Sequence, residues 1–187
     1  FVAKYNTGGV LQWVRQAGSA GTGWDCARAV GVDAGGNVYA TGGFLGTAYF
    51  SGTLVWPLRN QDCFVAKYSS NGILLWVRQG SDSWHSAYGT GIAVDDAGNS
   101  VVVGYFEGET VSFGNGVAAV NSGYSSGAYA AFVVKYDSAG VAQWASGLGG
   151  GDTYSTTIGL GGAGNCYIGG SFEGTLQLGS SNLLSSG

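Results

Sequence analysis

The sequence predicts an all-β fold from its composition, its lack of helical periodicity and a threefold internal repeat. Its 187 residues include 37 glycines and a single proline, with 13% aromatic and only 10% charged residues. Such a chain is too apolar for disorder, and its glycines lack the every-third-residue period of collagen. Short strands joined by glycine turns fit this composition. No window has a sustained helical period, so we expect few helices.

The first element of the repeat is a strand that ends in Lys-Tyr. Phe-Val-Ala-Lys-Tyr occupies residues 1–5 and 64–68, and Phe-Val-Val-Lys-Tyr occupies residues 132–136, giving spacings of 63 and then 68 residues. Spacings of this size are typical of blades or solenoid coils. A glycine turn follows each copy at residues 6–9, 69–72 and 137–140. Second strands are predicted at residues 10–16, 73–79 and 141–146, each with a Trp at its fourth position.

A second strand pair follows in each copy, aligned on Asn37, Asn99 and Asn165. A Gly lies five residues after each Asn, and a Phe lies seven residues after it. The pattern predicts strand, tight turn and strand, with glycine supplying the positive φ of the turn. The apolar run at residues 101–103 suits a sheet that is covered on both faces. Each repeat is therefore predicted to contain four strands.

Longer segments join these strand pairs, at residues 16–25, 45–62, 80–88 and 107–131. Residues 110–117 are predicted to form an additional hairpin. If the sheets pack around an axis, the tight turns lie at one end and the long loops at the other. Binding is expected at the long-loop end.

These motifs, in fixed order and covering the whole chain, resemble the bacterial β-propeller repeat family (the seven-bladed-propeller-type repeat, SBBP). Gly161 departs from its Asp in the third copy, and Ala145-Ser146 departs from Val-Arg. The resemblance implies β-propeller blades in one array of three four-stranded repeats, at residues 1–63, 64–131 and 132–187. It also implies an extracellular or bacterial cell-surface protein, and no particular activity.

Three repeats fall short of the roughly four to eight blades that propellers contain. By analogy with propellers, residues 1–16 complete a blade whose inner half is missing, and residues 157–187 begin a blade whose outer half is missing. We therefore expect a partial propeller or part of a larger repeat assembly. The expected partners are copies of the chain or adjoining repeats of a longer chain. The absence of Met, even at residue 1, suggests a processed product or a window of something longer.

Charge and hydropathy exclude several classes of partner. The formal net charge is −4, and seven basic residues are spread along the chain, so nucleic acid is not an expected partner. No apolar run approaches the roughly 18 residues of a membrane helix.

Cys26, Cys63 and Cys166 match no metal-ligand spacing. Three buried thiols are the favoured interpretation, with one disulfide plus a free thiol as the alternative.

Residues with catalytic or metal-binding chemistry do not form a recognisable set. Asp33, Asp95 and Asp96 lie in turns that lack the pattern of a calcium loop, so plain turns are predicted. His85 is the only histidine, and no nucleophile elbow surrounds Ser83 or Ser86. The glutamates 107, 109 and 173 form no unique pair for glycoside hydrolysis. We expect no enzyme activity, no cofactor and no metal.

Aromatic residues in the long connections are the best candidates for binding. Flat rings beside Asn, Asp and Ser could stack on glycans; the alternative is that the rings fill wedges between blades. Lys4, Lys67 and Lys135 share one strand position, interpreted as discouraging edge pairing or reaching solvent. The candidate ligand-binding residues are Trp24, Trp56, Trp84, Tyr88, Tyr124 and Tyr154.

The favoured function is a non-enzymatic structural or interaction module that assembles blade to blade. A carbohydrate-binding or adhesive propeller that uses the aromatic long loops is the alternative. A fragment of a propeller enzyme, with catalytic residues partly outside this chain, is a second alternative.

Overall fold

A computed structural model describes residues 1–19, 23–57, 60–82, 84–124 and 127–186, and these residues form an all-β structure. The strands are β1 Val2–Tyr5, β2 Leu11–Arg15, β3 Ala17–Ser19, β4 Cys26–Val32, β5 Val38–Phe44, β6 Ala48–Phe50, β7 Thr53–Val55, β8 Asp62–Tyr68, β9 Leu74–Gly80, β10 Ala87–Val94, β11 Ser100–Glu107, β12 Thr110–Ser112, β13 Ala118–Val120, β14 Tyr129–Tyr136, β15 Ala142–Leu148, β16 Thr153–Leu160, β17 Cys166–Phe172, β18 Thr175–Leu178 and β19 Ser181–Leu184. The helical content of the described residues is a 3₁₀ turn, Gly162–Gly164. The expectations of an all-β fold and few helices are confirmed.

The main strands form two four-stranded sheets and two hairpins. Sheet I has the order β4-β5-β8-β9, and sheet II has the order β10-β11-β14-β15. The N-terminal hairpin pairs β1 with β2, and the C-terminal hairpin pairs β16 with β17. All these pairs are antiparallel. Each four-stranded sheet therefore takes its last two strands from the Phe-Val-x-Lys-Tyr hairpin that follows in the sequence.

Equivalent residues pair in the same register in both sheets. Gly42 of β5 lies opposite Phe64 of β8, and Gly104 of β11 lies opposite Phe132 of β14. A residue with a Cβ would not fit at Gly104, because that atom would lie 2.6 Å from the Phe132 ring. The feature shared by all three Gly-x-Phe motifs is the close approach of a backbone carbonyl of the preceding strand, which a Cβ on the glycine would overlap. The Phe132 ring adds to this crowding at Gly104.

Short hairpins extend from the side of the main sheets. They are β6 with β7, β12 with β13, and β18 with β19, and β3 pairs with β6 to make the first of them a three-stranded sheet. The hairpin predicted at residues 110–117 is present, although its second strand begins at Ala118, just beyond the predicted end. The two other short hairpins were not predicted.

Tight turns are held by their own side chains. The Asp33 carboxylate accepts hydrogen bonds from the Asn37 backbone N–H at 2.9 Å and from the Asn37 side chain at 2.8 Å. Asp95 and Asn99 repeat this arrangement at 2.8 Å for both bonds. The prediction of plain turns is confirmed at these two positions.

Buried side chains join the main units face to face. The largest cluster lies between sheets I and II and contains Tyr39, Val65, Val102 and Phe132. Val2 of the N-terminal hairpin packs into a second cluster on sheet I. On the other flank, Val101, Val103 and Val133 of sheet II form a third cluster, against which Ile158, Leu160 and Cys166 of the C-terminal hairpin pack. The stacking order is N-terminal hairpin, sheet I, sheet II and C-terminal hairpin.

In the described part of the chain, no helix is both long and apolar enough to cross a membrane. The predicted repeat boundaries at residues 63/64 and 131/132 stay a prediction.

Candidate interaction edges

A tryptophan and an arginine connect the N-terminal hairpin to sheet I, and a second such pair connects sheet I to sheet II. The Trp13 indole N–H donates to the Ser70 carbonyl at 3.0 Å, and the Trp76 indole N–H donates to the Ser138 carbonyl at 3.2 Å. The Nε–H groups of Arg15 and Arg78 donate to the carbonyls of Gly72 and Gly140 at 2.6 and 2.7 Å. One contact therefore occurs twice, once between the N-terminal hairpin and sheet I, and once between sheets I and II.

The turn glycines allow this contact. A Cβ at Gly72 would lie 2.8 Å from the Trp13 ring, and a Cβ at Gly140 would lie 2.8 Å from the Trp76 ring. Both glycines also have a positive φ. Each turn therefore needs glycine both for its backbone conformation and for the indole that covers it.

The repeated lysine takes part in the same junction. Lys4 Nζ donates to the Ser70 carbonyl at 3.0 Å, and Lys67 Nζ donates to the Ser138 carbonyl at 3.3 Å. Lys67 is buried, and its ammonium lies 3.7 Å from the Asp33 carboxylate. The interpretation that this position reaches solvent or discourages edge pairing is wrong for Lys67, because the side chain joins two sheets.

In the described part of the chain, no hairpin turn lies against the third copy of the junction residues. Trp144 is 42% exposed, and Ser146 occupies the position of the junction arginine. Among the described residues, neither Trp144 nor Lys135 donates a hydrogen bond to a turn carbonyl as its counterparts do. Sheet II thus presents an unoccupied copy of the surface that holds its neighbour.

The N-terminal hairpin exposes residues that are buried elsewhere in the repeat. Tyr5 is 61% exposed, whereas its counterparts Tyr68 and Tyr136 are each 1% exposed. Phe1 is 82% exposed, whereas Phe64 is 6% exposed. The difference arises because β8 and β14 each pair with an inner strand, while β1 pairs with β2 alone.

The C-terminal hairpin has the complementary features. Strand β17 pairs with β16 alone, and its Tyr167 is exposed, whereas Tyr39 at the same repeat position is fully buried. A cavity of about 410 Å³ beside β17 is lined by Ile168, Phe172 and Leu178, among others. At the corresponding place in sheet II, Phe132 packs 5.0 Å from Phe113. The cavity therefore lies where a repeat phenylalanine packs in the complete sheets.

The three candidate tryptophans are exposed and do not fill wedges between sheets. Trp24 is 82% exposed, and Trp56 and Trp84 are also largely exposed. The backbone of each is held by an amide side chain. Gln61 donates to the Trp24 carbonyl at 2.8 Å, Gln79 to the Trp56 carbonyl at 3.0 Å and Asn60 to the Trp84 carbonyl at 2.5 Å. These hydrogen bonds anchor the backbone at each tryptophan, while the side chains stay largely exposed.

Two candidate tyrosines belong to a half-buried cluster that the sequence analysis recognised only in part. Tyr88 stacks on Tyr105 with ring centroids 4.9 Å apart, and Tyr154 lies 5.0 Å from Tyr105 and 5.6 Å from Tyr129. The Arg28 guanidinium lies 5.6 Å from the centre of the Tyr88 ring. Burial is the main cause that raises the pKa of Tyr129, and the charge of the nearby Glu107 raises it further. All four tyrosines lie within strands, so the expectation that Tyr88 and Tyr154 belong to long connections is wrong. Tyr105 lies in a predicted strand, and Tyr129, although inside the predicted connection at residues 107–131, was not singled out.

Tyr124 lies apart from that cluster. Its ring packs edge-on against His85 at 6.1 Å, and His85 Nδ1 lies 3.2 Å from the Asp82 carboxylate. Asp82 also accepts backbone hydrogen bonds from Trp84 and His85, so it organises the loop. Ser83, considered above as a partner of His85, lies outside the described residues.

All three cysteines are free thiols. Cys63 is buried as expected, and desolvation raises its pKa to about 12. Cys26 and Cys166 are only half-buried, so the expectation of three buried thiols is wrong for these two. Cys166 lies on β17, where its strand has a free edge.

No protein-family model matches the chain. A search of curated proteins finds no significant relative.

Proposed function

We propose that this chain is a non-enzymatic structural and interaction module, built of β-propeller blades, that accepts the β-hairpin of a neighbouring repeat at the free edge of β17. The observation that carries the proposal is the match between two surfaces. Residues buried at the β5–β8 and β11–β14 pairings are exposed on β1, and an apolar cavity lies beside β17.

The register of the complete sheets defines the proposed pairing. In sheets I and II, the strand that carries the Phe-Val-x-Lys-Tyr motif places its Phe opposite the Gly of Gly-x-Phe. The same register would place Phe1 of a neighbouring copy opposite Gly170, Ala3 opposite Ile168, and Tyr5 opposite Cys166. Backbone hydrogen bonds along β17 would supply affinity, and the side-chain pockets would supply specificity, as in other cases of strand addition.

Three side-chain contacts would accompany the pairing. The Phe ring would fill the cavity beside Phe172 and Leu178, and burial of such a ring is worth about 1.5–3 kcal/mol. The turn of the incoming hairpin would place Gly9 under the exposed Trp144. Its Thr7 carbonyl would accept hydrogen bonds from Trp144 and Lys135, as the Ser138 carbonyl does from Trp76 and Lys67.

The experiment uses a synthetic hairpin of residues 64–79 that carries a fluorophore at its C-terminus. Ordering of an isolated hairpin opposes binding, so we expect a Kd between about 10 µM and 1 mM by fluorescence anisotropy. Backbone amides of β17 should gain protection from hydrogen exchange when the peptide binds. A Phe64→Ala peptide should bind about tenfold or more weakly, because it leaves the cavity empty.

A pair of protein variants locates the binding surface. Ile168→Arg should abolish peptide binding, whereas Tyr49→Arg, on the exposed face of β6, should leave it unchanged. Equal binding by both variants, or bound peptide without new protection in β17, would overturn the proposal.

The resemblance to the bacterial repeat family supports an extracellular or cell-surface setting for this module. A carbohydrate-binding or adhesive surface is the second candidate function. The exposed rings of Trp24, Trp56 and Trp84 on anchored backbone favour it. On a glycan array, Trp24→Ala and Trp84→Ala should each lose binding. Absence of glycan binding by the unaltered chain would remove this candidate.

A further inference from the structure

The junction of sheets I and II contains a tyrosine that links three polar groups. The Tyr39 hydroxyl donates to the Gly98 carbonyl at 2.7 Å and lies 3.3 Å from the Asp33 carboxylate. The Lys67 ammonium lies 4.8 Å from the centre of the Tyr39 ring. The phenol therefore fills the space between the two sheets, and its hydroxyl donates into a group of acceptors.

The next junction, between sheet II and the C-terminal hairpin, has the same polar groups without the phenol. Asp95 stands at the position of Asp33, Lys135 at that of Lys67, and Gly164 at that of Gly98. Val101 stands at the position of Tyr39, and valine reaches neither the carboxylate nor the turn.

A cavity occupies this place. It has a volume of about 320 Å³ and is lined by Asp95, Val101, Lys135 and Gly164, among others. A Cβ built on Gly98 would lie 2.9 Å from the Tyr39 hydroxyl, whereas one built on Gly164 meets no atom within 4 Å. No ion pair within 4.0 Å joins Lys135 to Asp95 in the described residues, although the corresponding pair lies 3.7 Å apart.

We propose that this cavity is a binding site for a para-substituted phenol, either a free phenolic compound or an accessible tyrosyl side chain. Val101 would contact the ring, and Lys135 would lie over its face, as Lys67 lies over Tyr39. The hydroxyl would donate to the Asp95 carboxylate and the Gly164 carbonyl. The chain itself supplies the template, because the neighbouring junction holds such a ring among the same residue types.

The hydroxyl group of the ligand determines the specificity of this site. A ligand that lacks the hydroxyl would bury its ring beside the Asp95 carboxylate and the Gly164 carbonyl. Both acceptors would lose hydrogen bonds to water and gain no new donor, which weakens binding. We therefore expect 4-methylphenol to bind with a Kd on the order of 1–10 mM, as befits a ligand this small. Toluene should bind at least about fivefold more weakly.

The test follows backbone amide shifts of Asp95, Asn99 and Gly164 by two-dimensional NMR during titration with 4-methylphenol and, separately, toluene. A third titration with N-acetyltyrosine amide distinguishes the two sources of phenol. Binding of both phenols indicates a site that admits tyrosyl side chains, and binding of 4-methylphenol alone indicates a site for small phenolic compounds. Either result supports the proposal.

Two variants at one position provide the control. Val101→Tyr supplies its own ring, so it should abolish phenol binding and raise the thermal unfolding midpoint. Val101→Ala keeps the cavity open and should retain binding. Equal affinity for 4-methylphenol and toluene, no shifts at these amides, or unchanged binding in Val101→Tyr would overturn the proposal. None of these outcomes depends on hairpin binding at β17.

Discussion

At the scale of single residues, the junctions depend on partners that are far apart in the sequence. The Lys67 ammonium and the Ser138 carbonyl are 71 residues apart, and the Trp76 indole and the same carbonyl are 62 apart. Sequence patterns identified these residues as repeated but assigned no contact to them. A lysine on a strand most often reaches solvent, and only the stacking of the sheets makes Lys67 a buried donor.

The contact between indole and turn glycine can be measured with a matched pair of substitutions. Gly140 and Gly9 have nearly the same φ, 78° and 77°, so alanine at either position should cost about 1–2 kcal/mol in backbone strain. Of these two glycines, only Gly140 lies under a tryptophan of its own chain. Gly140→Ala should therefore reduce the free energy of unfolding in urea by about 1–3 kcal/mol more than Gly9→Ala. Equal losses would show that Trp76 tolerates the added methyl group.

The Asp33 carboxyl makes stability depend on pH. Although burial alone would raise its pKa, hydrogen bonds from the side chain and backbone of Asn37 and the nearby Lys67 ammonium hold the pKa of Asp33 below its ordinary value. The resulting stabilisation is complete above the unfolded-state pKa of about 3.9 and is lost as the pH falls through the lower folded-state value.

Asp33→Asn should therefore be less stable than the unaltered chain near pH 6, and the difference should shrink below about pH 4. Urea unfolding at a series of pH values measures this difference. A difference that stays constant from neutral to acid pH would mean that the Asp33 charge contributes nothing.

At the scale of elements, periodicity and turn chemistry predicted the main strands well. The second strands predicted at residues 73–79 and 141–146 appear as Leu74–Gly80 and Ala142–Leu148. The short hairpins β6–β7 and β18–β19 were missed because their strands have only three or four residues among glycines and serines. Strands this short give too few alternations to identify a period.

Comparison of the short hairpins β12–β13 and β18–β19 supplies a test of element packing. Phe113 follows β12 and packs 5.0 Å from Phe132, whereas Leu178 at the same repeat position lines the cavity beside β17. Phe113→Ala should destabilise the chain by about 3–5 kcal/mol, and Leu178→Ala by less than about 1 kcal/mol. Thermal and urea unfolding of both variants measure these losses. A large effect of Leu178→Ala would mean that the short hairpin β18–β19 is already part of a closed core.

At the scale of the whole molecule, the repeats predicted the main strands but not their order in each sheet, and they could not predict the cavity beside Val101. It depends on a single difference, Val101 in place of Tyr39, whose meaning appears only when the two junctions are compared. The accessible tryptophans were identified from loop position, whereas the tyrosine cluster required the packing of strands β10, β11, β14 and β16.

The two free edges predict self-association of the 187-residue chain. Two copies joined at both edges would contain six four-stranded sheets, which lies within the range of about four to eight found in propellers. Sedimentation velocity should therefore detect a species of twice the 18.9 kDa chain mass at high concentration. Ile168→Arg should shift the chain to a monomer, and Tyr49→Arg should not. A monomer at every concentration would show that a copy of this chain does not occupy the edge of β17.

The offset between repeat and sheet has an evolutionary consequence. Sheet I ends with strands from the second repeat, and sheet II ends with strands from the third. A recombination event that removed residues 64–131 would therefore leave β5 and the short hairpin β6–β7 followed by β14 and β15. These strands match β8 and β9 in sequence pattern and pairing register. A gene for this protein could therefore gain or lose whole units by unequal crossing-over without ever creating an incomplete sheet at the new joint.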